Sequence, residues 1–235
     1  MAPTDLYAVL AAEVTRFGDR LERAVREEAL DAPVPCCPGW AVRDLAHHLG
    51  TIERWVCHAV DHASPDAPDP GLPTDSALVE WYRRGAADLL GRLEADPATP
   101  AWTFGPTKDV GFWWRRQAHE HRLHRWDLEA ALGEPTPLDP ALADDGVAEV
   151  VTMFWPRQVR LGRAEPPADA LGLVATDTGG QWRIGGEGPL VATLGAPAGD
   201  LLLALWHRLP ADAPALIWNG DEAAGRAILA LPLAP

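Results

Sequence analysis

Apolar residues at Leu6, Val9, Leu10 and Leu21, with charges between them, run through TDLYAVLAAEVTRFGDRLERAVREEAL. This spacing predicts a long first helix capped by Thr4 or Asp5. PVPCCPGW then forces a turn. A second helix is predicted over AVRDLAHHLGTIERWVCHAVDH, with an apolar stripe of Val42, Leu45, Leu49, Ile52, Val56 and Val60. Past the loop SPDAPDPGLP, TDSALVEWYRRGAADLLGRLEAD predicts a third helix with a Thr74 or Asp75 cap. PATPAWTFGPTKD breaks the chain, and a fourth helix is predicted from Val110 to Leu132, ending at Gly133 with Pro135 beyond. DPALADDGVAEVVTMFWPRQVRLG reads as a fifth helix, interrupted or ended near Pro156.

The pattern then changes. EPPADA (165–170) reads as a linker, followed by the short β-rich runs LGLVATD, QWRIGG, LVATLG and ALIWNGD. AGDLLLALWHRL and DEAAGRAILALPL between and after them are helical in pattern. The expected organisation is α+β, with an N-terminal helical domain over 1–164 and a small α/β domain over 165–235.

Composition narrows the function. The 235 residues carry a formal charge of −14, and Lys108 is the only lysine. So acidic a surface repels nucleic acid and anionic membranes, so neither is expected as a partner. No apolar run reaches the roughly 18 residues of a membrane span. MAPTDLYAVLAAEVTRF lacks the basic-then-apolar order of a signal peptide, so a cytoplasmic protein is expected, as a monomer or homodimer. Cys36, Cys37 and Cys57 form neither a CxxC pair nor a finger pattern, and reduced structural thiols are the expectation. With only Ser64 and Ser76, neither in G-x-S-x-G, serine-hydrolase chemistry is not expected. TGGQW and IGGEG lack the Lys-Ser/Thr of a phosphate loop.

The candidate chemistry lies in RRQAHEHRLHRWD, residues 115–127. At about 100° per residue, His124 falls about 40° from Glu120, with Trp113, Arg116 and Asp127 on the same stripe. Arg115, Arg122 and Arg125 point the other way, toward water, and His119 and His121 flank the stripe as exposed residues. A carboxylate and an imidazole on an apolar face need a partner, and Glu-x-x-x-His can present both to one divalent cation. The second helix supplies a third donor: His48 lies about 60° from Leu45, at the edge of the apolar stripe, whereas His47 points to solvent. Two histidines and a carboxylate on two helices match catalytic zinc sites with an open position, and would also suit nickel or iron. Asp127 or Asp44 is placed to orient a ligand. The competing reading is an ordinary Glu120/His124 pair neutralised by Arg116. His58 and His62 form a rival pair at a helix end.

CPGWAVRDLAHHLGTIERW and FWWRRQAHEHRLHRWDLEAA together resemble the mycothiol-dependent maleylpyruvate isomerase family of actinobacteria. The resemblance implies a DinB-like up-down four-helix bundle that binds a metal, followed by a small α/β C-terminal domain. It implies metal ligands at the histidine of a D-L-x-x-H-L segment and at a later Glu-x-x-x-His, which are His48, Glu120 and His124 here. LLLALWHRL and WNGDEAAGRAIL are similar to the family's C-terminal domain, where Leu-Trp-Gly-Arg is usual; this chain has His207 in place of the glycine and keeps Arg208.

The function implied is activation of a low-molecular-weight thiol, mycothiol, by the divalent metal for attack on an electrophilic small molecule. The outcome is S-transfer or thiol-assisted cis–trans isomerisation. Arg116 and Arg208 are candidate clamps for a substrate or thiol carboxylate, although Arg116 equally suits an ion pair with Glu120 or Asp127. Trp113 is either a wall of the cofactor pocket or core. Two alternatives use the same ion: a hydrolase that activates water, and a non-catalytic stress protein with a structural metal.

Overall fold

The structure, a computed structural model, describes residues 3–235, with side chains from Leu6 onward. It falls into two compact units, up to Thr136 and Pro137–Pro235. The first holds the helices α1 (Pro3–Arg26), α2 (Val42–His62), α3 (Leu78–Leu93) and α4 (Val110–Ala131). α1 packs along α4 and α2 along α3, while α2 and α3 also meet α4. Leu10, Phe17 and Leu21 of α1, Leu45 and Leu49 of α2, Tyr82 and Leu89 of α3 and Trp113 and Leu128 of α4 are fully buried. Each such aliphatic or phenyl side chain contributes about 1.5–3 kcal/mol. No helix among the described residues is long and apolar enough to cross a membrane.

Local chemistry sets the helix ends. Asp109 accepts a hydrogen bond from the Phe112 amide at 2.9 Å and starts α4, and Gly133, at φ +76°, ends it. The Ala41 amide donates to Asp44 Oδ2 at 2.8 Å at the start of α2. Thr4 and Asp5, the expected first caps, lie outside the residues whose side chains are described. The expected third cap is replaced: a 3₁₀ turn over Asp75–Ala77 precedes α3, and Asp75 pairs instead with Arg43 at 2.7 Å.

α4 departs from the expected two-faced helix. Arg122, Arg125, His119 and His121 are buried rather than solvated. α1 covers the side on which the arginines lie, and its Glu13 accepts from Arg125 Nε at 2.5 Å. Arg125 also pairs with Glu129, whose Oε2 accepts from the Thr136 amide at 3.0 Å.

In the second unit, α5 (Pro140–Glu149) runs through a π-helical turn (Val150–Phe154) into α6 (Trp155–Arg160). The turn ends two residues before Pro156, whose ring cannot accept a regular helix across the carbonyl four residues back. The Trp155 amide bonds Val150 O instead. Four strands follow: β1 (Ala170–Ala175), β2 (Gln181–Gly185), β3 (Leu190–Ala196) and β4 (Ile217–Gly220), in the order β2-β1-β3-β4. β1 and β3 are parallel at the centre, and the edge strands are antiparallel to them. α7 (Ala198–Leu205) and α8 (Glu222–Leu229) pack on this sheet, and α5 packs on α7. The division at Thr136/Pro137 therefore precedes the compositional break near residue 165. The fifth predicted helix buries its apolar face with the sheet unit, so packing counts it there.

Candidate metal centre

Glu120 lies mid-way along α4, and His124 follows one turn later. Glu120 Oε1 is 3.3 Å from His124 Nε2 and 3.2 Å from His48 Nε2 on α2. Among the described residues these three form the only cluster of its kind, with their donor atoms all within 4.8 Å of one another. A tetrahedral zinc ion with bonds of about 2.0–2.1 Å separates its donor atoms by roughly 3.3 Å, and both separations from Glu120 Oε1 match that value. The two imidazoles meet nearly edge to face, at 77° and 5.0 Å between centroids.

The surroundings orient the three side chains. His124 Nδ1 is 2.9 Å from Oδ2 of the fully buried Asp127. A carboxylate only accepts, so Nδ1 carries a hydrogen, and in the neutral ring Nε2 offers its lone pair toward Glu120 and His48. Asp44, the other candidate for this role, is a helix cap. His48 is 31% exposed and stands 5.1 Å from the Trp40 ring, which leaves one side of the cluster accessible.

Charge is balanced within the cluster. Burial alone would raise the Glu120 pKa, but the Arg116 guanidinium and the two imidazoles hold it well below the usual carboxylate range. Burial would lower His124, yet Asp127 and Glu120 bring it up to about 9. With its pKa brought up to about 9, His124 favours its charged form at neutral pH, and a metal ion taken up there would have to displace that proton. Below about pH 9, apparent zinc affinity is expected to rise close to tenfold per pH unit from this group, with about one proton released on binding. Stability of the metal-free protein runs the other way. The contribution of His124 is complete below its unfolded pKa of about 6.5 and is lost as pH rises through about 9. Calorimetric zinc titrations in two buffers of different ionisation enthalpy, and melting curves across this range, check both signs. Asp127→Asn, which weakens the hold on His124, is expected to reduce zinc affinity by about 10–100-fold, read by competition with a chromophoric chelator.

The remaining sequence candidates separate. Arg116 is buried and donates from Nη2 to Glu120 Oε2 at 2.7 Å, the ion-pair geometry of its two expected roles. Trp113 is core: it is fully buried, donates from Nε1 to Trp102 O at 2.8 Å and packs against Trp55, Phe104 and Phe112. Arg208 belongs to the second unit, just past α7, and donates from Nη1 to Trp206 O at 2.9 Å. His207 before it has φ +57°, and the His207 and Arg208 amides bond Ala204 O and Leu203 O in a Schellman turn. That left-handed conformation is the physical reason for a glycine at this position; the histidine tolerates it with its ring 2.9 Å from Leu229 O. His47, expected toward solvent, is half-buried and edge-on to Trp81 of α3. His58 and His62 lie ring against ring at 4.4 Å with no third donor among the described residues. All three cysteines are thiols, and burial pushes Cys57 up to about 12.

Two features beside the centre escape the sequence reading. Cys37 Sγ lies 3.9 Å from Asp127 Oδ2, so the PVPCCPGW turn reaches the carboxylate that holds His124. His121 pairs with Glu53 inside the bundle. A signal for the second exists: on α2, Glu53 falls about 80° from Leu45, at the edge of the apolar stripe.

Known proteins place this geometry in context. The family described as mycothiol maleylpyruvate isomerase N-terminal domain matches residues 10–129. Two uncharacterized proteins from two strains of Mycobacterium tuberculosis are 31% identical over 165 residues, covering 63% of this chain and 84% of theirs. A crystal structure of the mycothiol-dependent maleylpyruvate isomerase superposes with a TM-score of 0.72 at 12% identity, covering 93% of each chain. A histidine-to-alanine mutant of that isomerase gives 0.68 at 11% identity, covering 87% of this chain and 88% of its own. At such identities these structures establish the shared α+β fold. The family match spans the helices that carry His48, Glu120 and His124, and the chain belongs to the mycothiol maleylpyruvate isomerase N-terminal domain family.

Proposed function

We propose that this protein is a divalent-metal-dependent enzyme that uses mycothiol as cosubstrate to isomerise, or transfer sulfur to, an electrophilic small molecule. The observation that carries the reading is the convergence of His48 Nε2, Glu120 Oε1 and His124 Nε2 from two helices. Family membership and the similarity to mycothiol-dependent maleylpyruvate isomerase support the thiol and the reaction class. A structural zinc site takes four protein ligands; three donors with an accessible side suit a catalytic one.

His48, Glu120 and His124 would hold the ion, zinc by preference for this donor set. A bound divalent ion supplies Lewis acidity, which lowers the pKa of a thiol and makes a thiolate available at neutral pH. The chain's own residues do the rest. Arg116 keeps Glu120 ionised, and Asp127 keeps the His124 lone pair directed at the ion. Arg208 is assigned to a carboxylate of substrate or thiol, through the paired donors of its guanidinium.

The test is turnover of a panel of electrophiles, maleylpyruvate among them, by zinc-loaded protein with and without mycothiol. Turnover that needs both zinc and mycothiol is expected. Turnover unaffected by the thiol would replace this reading with a hydrolase that activates water.

A further inference from the structure

We propose that Glu53 on α2 and His121 on α4 are positioning residues of the metal centre, seated by the missing side chain of Gly85 on α3. This role presupposes the metal-dependent function proposed above. Both side chains are wholly buried, and His121 Nε2 lies 3.2 Å from Glu53 Oε1. His121 Nδ1 lies 2.9 Å from Gln117 O; a carbonyl only accepts, so Nδ1 carries a hydrogen. The other contact then needs one further proton between ring and carboxyl, and the pair is neutral as a unit. With both nitrogens engaged, His121 is held as a strut rather than offered as a ligand.

The arrangement mirrors the metal ligands. α2 presents the His48 imidazole to a carboxylate of α4, and then the Glu53 carboxyl to an imidazole of α4. The α4 partners are the consecutive residues Glu120 and His121. Two contacts at different angles around α2 fix both its rotation and its slide along α4. Rotation matters most to His48, because a site must be held within about 0.5 Å to keep its ligand geometry.

α3 closes the lock. A Cβ on Gly85 would lie 2.6 Å from Glu53 Oε2, and closer still to Arg54 Nη1. Arg54 in turn donates to Gly50 O at 2.7 Å and to Trp81 O at 2.6 Å, which ties α2 to α3 at the same level. Glycine at this position is what lets the Glu53 carboxyl lie between α3 and His121.

The variants Glu53→Leu, Glu53→Gln and Gly85→Ala test the assignment with two readouts. One is the imidazole ¹⁵N signal of His48 in metal-free protein, which reports its contact with Glu120. The other is zinc affinity by chelator competition. E53L is expected to shift the His48 signal and weaken zinc binding at least about tenfold, as for other supports of metal ligands. E53Q, whose amide can donate to His121 Nε2, is expected to keep the signal and stay within about threefold. G85A retains every polar group and is expected to follow E53L. It decides the matter if E53L fails to fold. A folded E53L or G85A with the His48 signal and zinc affinity of the parent protein would overturn the proposal. A parent protein that takes up no zinc, with a His48 signal that still responds to G85A, would sink the metal function and leave the lock standing.

Discussion

His124→Ala is expected to abolish tight zinc binding, with affinity falling by more than about a hundredfold, since even outer supports of metal ligands cost 10–100-fold. The expectation follows from position. His124 Nε2 and His48 Nε2 lie 3.3 and 3.2 Å from Glu120 Oε1, and removing one leaves a two-donor site. Glu120 would keep its ion pair with Arg116, so the carboxylate remains neutralised. Asp127 would lose its imidazole partner but keep the Cys37 thiol nearby. The metal-free variant is thus expected to fold, with a melting temperature lowered by the lost His124 contacts and no longer raised by zinc. Equilibrium dialysis against zinc, with elemental analysis of the retained metal, measures the first effect. Retention of one zinc per chain at parent affinity would remove His124 from the ligand set.

Arg125→Leu is expected to be strongly destabilising, at about 3 kcal/mol, because it removes the buried cation shared by two buried carboxylates and leaves them only the more exposed Arg16 and Arg20. Arg125 joins Glu13 of α1 to Glu129 of α4 in a region where both acids are nearly or wholly covered. The loss arises from the abandoned charges rather than from the ion pairs themselves. A variant that also carries Glu13→Leu and Glu129→Gln should therefore regain most of it. Urea unfolding of the two variants gives the comparison. A loss under about 1 kcal/mol for Arg125→Leu would mean that water reaches these carboxylates.

Helix limits are legible wherever the chain carries its own signal. Asp109 and Gly133 bracket α4 through a side-chain cap and a left-handed residue, both visible as residue types. The alternation in QWRIGG and LVATLG likewise matches β2 and β3. The three clustered donors are legible because helical spacing alone puts Glu120 and His124 on one face and His48 on the edge of a stripe. What surrounds α4 is not. Arg125 and His121 look like surface residues until Glu13, 112 positions away, and Glu53, 68 positions away, fold against them. Angle around a helix cannot say which sides are covered, and α4 is covered on almost all of them. The division at Thr136/Pro137 is hidden for a related reason. A change in composition marks where strands begin, whereas the packing of α5 on α7 joins segments distant in sequence.

X-ray absorption at the zinc edge, on the zinc-loaded protein before and after addition of mycothiol, tests the central claim most directly. Three light protein donors at about 2.0–2.1 Å are expected, joined after addition by a single sulfur at about 2.3 Å. A first shell of four protein donors that mycothiol leaves unchanged would contradict it.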